Sequence, residues 1–124
     1  MKVLIYNPYR RDITQQIIDS ASGYDKCRIV PTEDLFVFKD AFNECLSGET
    51  IVVFFIENET DMAFLEDMNS RFVDIKLIVN HPDENDKFRA RILKLYPRFI
   101  TVSDDCDRLL PEVVPGLVRQ LLQD

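Results

Sequence analysis

Short apolar segments alternate with amphipathic segments along the whole chain. The segment 50–56 contains six consecutive apolar residues without alternation, which is typical of a strand that is covered on both faces. Proline-containing or polar turns follow the apolar segments and end them. The sequence therefore predicts five strands. In chain order they occupy residues 1–6, 27–30, 50–56, 75–79 and 99–102.

Apolar residues at helical spacing follow each predicted strand. Phe88, Ile92, Leu95 and Tyr96, for example, predict the inward face of a fourth helix. Polar caps, glycines and prolines predict where the helices start and stop. The predicted boundaries are Asp12 and Gly23 for the first helix, Thr32 and Gly48 for the second, and Asp83 and Pro97 for the fourth.

The last segment carries a long apolar stripe that two prolines interrupt. Because a proline inside a helix removes a hydrogen bond and costs about 3 kcal/mol, Pro111 predicts an irregular opening. Pro115 fits the first position of a helix, where its missing N–H has no partner to lose. We therefore expect a regular helix from about Pro115 onward.

Strict alternation of strands and helices predicts a three-layer α/β/α sandwich. Strands that are buried on both faces indicate a parallel sheet with helices on each side. The commonest doubly wound arrangement for five units is the flavodoxin-like strand order 2-1-3-4-5. We expect one α/β domain over residues 1–124, because the chain is too short for two.

Composition and charge limit which classes of partner and which cellular compartment we expect for this chain. The net charge is -7 and the sequence pI is about 4.7, which argues against nucleic acid or an anionic membrane as the main partner. The three scattered cysteines fit neither a disulfide framework nor a zinc site. No apolar run has the length of a signal peptide or a membrane-spanning helix. We expect a cytoplasmic protein without a metal or cofactor.

A site in such a sheet would lie at the carboxyl ends of the strands. His81 is the only histidine, and a loop histidine beside a proline turn is its simpler interpretation. Glu57 with Asp104, Asp105 and Asp107 could gather a divalent cation, but acids at a helix start are more simply caps and partners of the helix dipole. Phosphate cradles are disfavoured because no glycine-rich loop is present. The candidate strand-end residues are Asn7, Glu57, Asn58, Asn80, His81, Ser103, Asp104 and Asp105.

The length, the five βα units and the ending at a fifth helix resemble the receiver domain of bacterial response regulators. That family carries two acids after strand one, where Tyr6 and Asn7 stand here. It carries a phospho-accepting Asp at the end of strand three. Here a Phe or Ile stands at about that position, and Glu57 is the nearest acid. It carries Ser or Thr after strand four, where Asn80 stands, and a Lys after strand five, where this chain has Ser103-Asp104.

The resemblance implies a receiver-like signalling module that does not accept phosphate and is not an enzyme. Without the metal acids and the Lys, the electrostatic stabilisation of phosphoryl transfer is lost. Such a module would work by binding another protein or protein domain. A second copy of the chain, giving a homodimer, is one such partner. If Tyr9 or Phe55 fills the cleft at the strand ends, that would favour a protein-binding module over a ligand-binding or catalytic domain.

The predicted fourth helix and its exit are basic in an acidic protein, and Lys87, Arg91, Lys94 and Arg98 should face largely outward. A solvated helix face is the simpler interpretation, and a face that docks an acidic partner together with strand five and helix five is the alternative. Phe36 and Val37 fall off the inward stripe of helix two and predict an exposed apolar patch.

Two other hypotheses stay open at the level of the sequence. One is a small flavodoxin-like enzyme or ligand-binding domain that uses Glu57, His81 and Asp104 or Asp105. A water-filled cleft in which Glu57 converges with Asp104 and Asp105 would favour this enzyme or ligand-binding hypothesis. The other is a structural or dimerisation domain of a longer protein.

Overall fold

A computed structural model describes residues 1–45, 49–72, 74–82 and 87–123, with the side chain of Gln123 excepted. The strands are β1 (Lys2–Tyr6), β2 (Arg28–Thr32), β3 (Thr50–Phe55), β4 (Ile75–His81) and β5 (Phe99–Val102). The helices are α1 (Arg11–Ala21), α2 (Leu35–Asn43), α3 (Glu59–Met68), α4 (Arg89–Leu93) and α5 (Cys106–Gln123), with a 3-10 turn at Asn69–Arg71.

The five strands form one parallel sheet in the order β2-β1-β3-β4-β5. The predicted three-layer architecture and strand order are confirmed. Val3 pairs with Ile51 and Phe54 with Val79, which places β1 and β4 on either side of β3. The topology leaves β2 and β5 as the two edges of the sheet.

Two apolar cores lie on opposite faces of this sheet. Every residue of β3 is buried, and its side chains alternate between the two cores, with Val52 in one and Val53 in the other. Helices α2, α3 and α4 cover the first face, and α1 and α5 cover the second. The lack of hydrophobic alternation in the sequence thus reflects burial from both sides. Among the described residues, no helix combines the length and apolar character that a membrane crossing needs.

Strand β2 differs from the prediction because it runs through Pro31 to Thr32. Arg28 donates its backbone N–H to the carbonyl of Met1, just before β1, and the carbonyl of Thr32 accepts from the N–H of Asn7, just after β1. Because successive residues of a strand point their backbone groups to opposite sides, Pro31 turns its nitrogen to the free edge of the sheet. No hydrogen bond between strands is lost there. An edge position explains why the proline does not end the strand.

The predicted N-caps of the first two helices were wrong by two residues each. Arg10 occupies the cap position of α1, and Asp12 lies inside the first turn, where it binds Arg10. Thr32 belongs to β2, and Asp34 caps α2 by accepting from the N–H groups of Phe36 and Val37. A cap depends on where the strand-to-helix turn closes, which residue type alone does not fix.

Strand β4 is longer and α4 shorter than predicted. Asn80 and His81, expected in a loop, are the last two residues of β4. Helix α4 ends at Leu93, and Tyr96 is 90% exposed with a φ of 52°. A residue before proline is disfavoured in the helical region, so the chain leaves the helix ahead of Pro97 and Tyr96 turns outward. The predicted cap Asp83 and the predicted stop Gly48 lie outside the described residues.

Helix α5 is continuous through both prolines, which corrects the predicted irregular opening. Its buried stripe packs on the sheet beside α1, and Leu110, Val114 and Val118 are completely buried. Pro111 and Pro115 are only partly buried, on positions that the stripe leaves free. Burial of the stripe outweighs the two hydrogen bonds that the prolines remove.

The substitution Pro115→Ala should stabilise the fold by about 1–2 kcal/mol, because it restores a backbone donor inside a helix that is already formed. The gain is smaller than the full cost of an interior proline, since alanine also raises the entropy of the unfolded chain. Urea unfolding measures the change. Pro8→Ala, in the loop after β1, is the matched control and should give no gain. A loss of stability on Pro115→Ala would mean that Pro115 begins the helix.

Candidate functional site

Asn7 is the first candidate at the strand ends, and it shapes the loop after β1. Its side-chain oxygen accepts from the N–H groups of Tyr9, at 3.2 Å, and Arg10, at 2.9 Å. Its amide nitrogen donates to the carbonyl of Arg10 and, at 2.9 Å, to the hydroxyl of Thr14. Asn7 is buried with all of these contacts made. It therefore fixes the turn between β1 and α1 and directs no polar atom toward the cleft.

Asp61 is the buried carboxylate of the sheet edge, and it is absent from the site residues predicted from the sequence. It lies in the first turn of α3 and is 1% exposed. One oxygen accepts from the hydroxyl of Tyr6 at 2.9 Å. The other accepts from the hydroxyl of Tyr9 and, at 3.0 Å, from the backbone N–H of Glu57. Three donors from three segments thus converge on one carboxylate.

Asn58 completes this network at the end of β3. Its side-chain oxygen accepts from the N–H of Asp61 and caps α3. Its amide nitrogen donates to the hydroxyl of Tyr9 at 3.1 Å. Tyr9 therefore reaches from the β1 loop to the start of α3, as the predicted plug would, with 38% of its surface exposed. Phe55, the other expected plug, lies in the core between the sheet and α1.

The two tyrosine hydroxyls stay protonated and act as donors. Burial, followed by the hydrogen bond to Asp61, raises the pKa of Tyr9 to about 12 and that of Tyr6 further above the ordinary value of 10.0. Ionisation of either hydroxyl would place a second negative charge against Asp61. We name Tyr6, Tyr9, Asn58 and Asp61 the tyrosine–aspartate network.

One signal in the sequence could have revealed this network. Tyr6 interrupts an otherwise aliphatic strand, and a buried tyrosine hydroxyl normally finds a hydrogen-bond partner. Asn58 and Asp61 have the spacing of an N-cap and the third helical residue, which places a carboxylate near the strand end. Which carboxylate meets Tyr6 depends on the packing of α3 against β1, so the sequence leaves it open.

At the ends of β4 and β5, the candidate residues bind one another. Thr101 donates to the side-chain oxygen of Asn80 at 2.8 Å, and the Asn80 amide lies 3.3 Å from the hydroxyl of Ser103. The backbone N–H of Ser103 donates to the carbonyl of His81. His81 is completely buried, and its Nε2 lies 3.3 Å from the guanidinium of Arg89. The interpretation of His81 as a loop histidine was wrong, because it lies inside the sheet.

The remaining acidic candidates lie in the loops. Glu57 and Asp104 are exposed, and Asp105 has its carboxylate 3.5 Å from Arg108 in the next turn. In the part of the chain that the structure describes, no group of three or more His, Cys, Asp or Glu residues could hold a metal ion.

The predicted basic face lies on α4 and its exit. The guanidinium of Arg91 binds Glu59, at 2.7 Å, and Glu66, both on α3. These contacts lower the pKa of both carboxylates and raise that of Arg91. Arg91 therefore holds α4 to α3. Lys87, Lys94 and Arg98 are exposed, and no ion pair of theirs is found among the described residues.

Exposed apolar side chains accompany these basic residues. Leu93 is 52% exposed, Tyr96 90% and Phe99 39%. A groove of about 260 Å³ runs between β5 and α5, and Phe99, Val113 and Leu117 contribute its apolar lining, whereas Leu93 and Tyr96 lie outside it. Arg98 and Glu112 lie on its polar rim. We name Leu93, Tyr96 and Phe99, with Lys94 and Arg98, the α4–β5 patch.

A second apolar surface lies at the opposite edge of the sheet. Phe36 is 80% exposed and Val37 54%, which confirms the patch predicted on helix two. Beside it, a groove of about 710 Å³ separates α1 from α2 above the end of β2. Pro31 and Ile18 line its apolar part, and Arg11 binds Glu33 across it. We name Phe36 and Val37 the α2 patch.

Removal of the tyrosine hydroxyls should destabilise the fold, because Asp61 would keep its burial and lose a donor. We expect Tyr6→Phe to lower the free energy of unfolding by about 1–3 kcal/mol and Tyr9→Phe by about 1 kcal/mol. The double variant should cost less than the sum, since both hydroxyls bind one carboxylate. Urea unfolding measures all three. Tyr24→Phe, away from the network, is the control, and equal effects at all three tyrosines would contradict a network role.

The contribution of Tyr9 should also depend on pH. Its pKa is about 12 in the folded chain and 10.0 as the ordinary value, so its stabilisation is complete below pH 10 and is lost as the pH rises toward 12. The difference in unfolding free energy between the wild type and Tyr9→Phe should therefore shrink over that interval. A difference that stays constant with pH would mean that the hydroxyl does not donate to Asp61.

Comparison with known proteins finds the fold and no close relative by sequence. The sequence matches no family model, and no curated protein matches it. The RcsB response regulator of Salmonella typhimurium, studied for its interaction with DNA, superposes with a TM-score of 0.70 at 15% identity. The alignment covers 96% of this chain and 62% of that protein, so this chain spans less than two thirds of its length.

Two further structures match over nearly their whole length. The phosphorylated cyanobacterial phytochrome response regulator RcpA gives a TM-score of 0.72 at 14% identity, covering 98% of this chain and 93% of that one. An orphan response regulator of H. pylori gives 0.71 at 11% identity, covering 98% and 96%. With the five-stranded order and the two layers of helices, these matches show that the chain has the fold of response-regulator receiver domains.

Proposed function

We propose that this chain is a receiver-like signalling module that accepts no phosphoryl group, is not an enzyme and acts by binding another protein. The observation that carries the proposal is the tyrosine–aspartate network. It occupies the cleft at the ends of β1 and β3, where a receiver domain performs its chemistry. The proposal treats residues 1–124 as one domain that works in the cytoplasm of a bacterial cell.

The residues at the strand ends support the loss of phosphoryl chemistry. Transfer to an aspartate needs a carboxylate nucleophile, a metal ion and a cation to balance the phosphoryl oxygens. Phe55 and Ile56 stand near the nucleophile position with their side chains buried in the two cores. The oxygens of the nearby Asp61 already accept from Tyr6, Tyr9 and a backbone N–H. A phosphoryl donor would have to displace these donors to reach the carboxylate.

The α4–β5 patch supports a role in protein binding. Three exposed apolar residues fall within residues 93–99, interleaved with Lys94 and Arg98, and exposed apolar residues that cluster commonly mark an interaction site. Aromatic residues such as Tyr96 contribute large contact areas to interfaces. The basic rim favours an acidic partner surface, since complementary charge raises the rate of association. Arg91 contributes indirectly, by holding α4 in place through Glu59 and Glu66.

Incubation with acetyl phosphate and Mg²⁺ should leave the mass of the intact protein unchanged. The reason is that the cleft offers no free carboxylate beside a metal-binding pair of acids in the described part of the chain. Mass spectrometry of the intact protein measures the outcome. A response regulator known to accept phosphate from acetyl phosphate is the control for the reagent. A substantial gain of one phosphoryl mass would overturn this part of the proposal.

Charge reversal of Lys94 and Arg98 should weaken partner binding without unfolding the chain. We expect Lys94→Glu with Arg98→Glu to slow association on the order of tenfold at low salt, because both side chains are exposed. Arg91 is left unchanged, since reversing its charge would place a negative side chain against Glu59 and Glu66 and loosen α4 from α3.

A photo-crosslinking residue at position 96 tests this in the cells from which the gene comes. A protein adduct should form at position 96 and be lost in the charge-reversed variant. The matched control carries the crosslinker at Gln16, an exposed residue of α1. The same adducts at both positions, or an adduct that survives the charge reversal, would place the interface elsewhere.

A further inference from the structure

The two exposed apolar patches lie at opposite edges of the sheet. The α2 patch belongs to the helix beside β2 and β1, and the α4–β5 patch lies at the β5 edge. Phe36 stands near the start of its helix, and Tyr96 lies just beyond the end of α4. This domain therefore cannot bring its own two patches together, whereas a second copy can place one patch against the other.

The surroundings of the two patches carry opposite charge. Residues 33–44, which contain the α2 patch, hold four acidic residues and one lysine. Residues 87–98, which contain most of the α4–β5 patch, hold five basic residues and no acidic one. Arg11 and Glu33 bind each other, as do Arg91 and the two glutamates of α3. After these pairs are set aside, Asp34 and Asp40 outnumber Lys39 beside one patch, and Lys94 and Arg98 outnumber Glu112 beside the other.

This charge pattern selects one mode of contact between copies. A two-fold contact of the α2 patch with itself would oppose acids to acids, and a two-fold contact of the α4–β5 patch would oppose bases to bases. Contact of one patch with the other joins apolar to apolar side chains and acidic to basic rims. Such a contact uses different surfaces on the two molecules and is heterologous.

We propose that the α4–β5 patch of one molecule binds the α2 patch of another, so that the chain assembles head to tail. The proposal rests on the proposed function and names the partner of the α4–β5 patch as a second copy. Because each added molecule keeps one free patch at each end, the contact can repeat and forms open chains unless its rotation closes a ring. Each contact buries few apolar residues, so the assembly should be weak and should depend on protein concentration and salt.

Two single variants and their mixture test the proposal by sedimentation velocity. The wild type should show a mean sedimentation coefficient that rises with protein concentration and falls with salt. Phe36→Lys and Tyr96→Glu should each remain monomeric, because each blocks one end of the contact. Their mixture should form dimers and nothing larger, since one intact α2 patch meets one intact α4–β5 patch. Both residues are at least 80% exposed, so neither change should unfold the chain.

Gln16→Lys and Ser70→Glu are the matched controls, because they add the same charges at exposed positions outside both patches. They should assemble as the wild type does. A wild type that stays monomeric at every concentration would overturn the proposal. So would assembly that one of the two variants leaves intact, or a mixture that stays monomeric, since these indicate a two-fold contact or none.

The outcome also separates this proposal from the proposed function. A monomeric wild type that forms an adduct with a different protein at position 96 would overturn head-to-tail assembly and leave the protein-binding module standing. A gain of phosphoryl mass in a chain that assembles head to tail would do the reverse.

Discussion

The complete burial of β3 on both faces is the constraint on which the other elements depend. Its side chains alternate between two cores, so helices must cover each side of the sheet. The neighbouring strands β1 and β4 share this burial over most of their length. Polar groups therefore collect where the strands leave the cores, at the carboxyl edge. There they must satisfy one another, because water reaches them only in part.

The buried polar side chains at this edge bind inward. Asp61 collects three donors, Asn7 closes the turn of its own loop and Asn80 binds Thr101 and Ser103. No buried side-chain nitrogen or oxygen lacks a partner among the described residues. In a receiver fold this edge is the reactive one, whereas here its hydrogen bonds tie β1, β3 and α3 together. The exposed features that remain for recognition lie on α2 and at the junction of α4 with β5.

Periodicity was enough to predict the five strands and most of the buried residues, because strands that are buried on both faces carry uninterrupted apolar runs. Their order followed from the commonest doubly wound arrangement of five such units. It could not predict features that depend on how elements meet. Tyr96 has the spacing of an inward residue, yet Pro97 ends the helix before it. Pro115 looks like a helix start, yet the stripe around it is buried as one helix. Asp61 has the character of a surface residue until α3 packs against β1.

Pro31 also affects how the edge of the sheet presents its backbone to other chains. Both edges of the sheet are poor templates for an added strand, since β2 presents a proline to its free side and β5 has only four residues. The described part of each edge therefore offers few free backbone donors to a neighbouring chain, which is the arrangement expected to disfavour edge-to-edge strand addition.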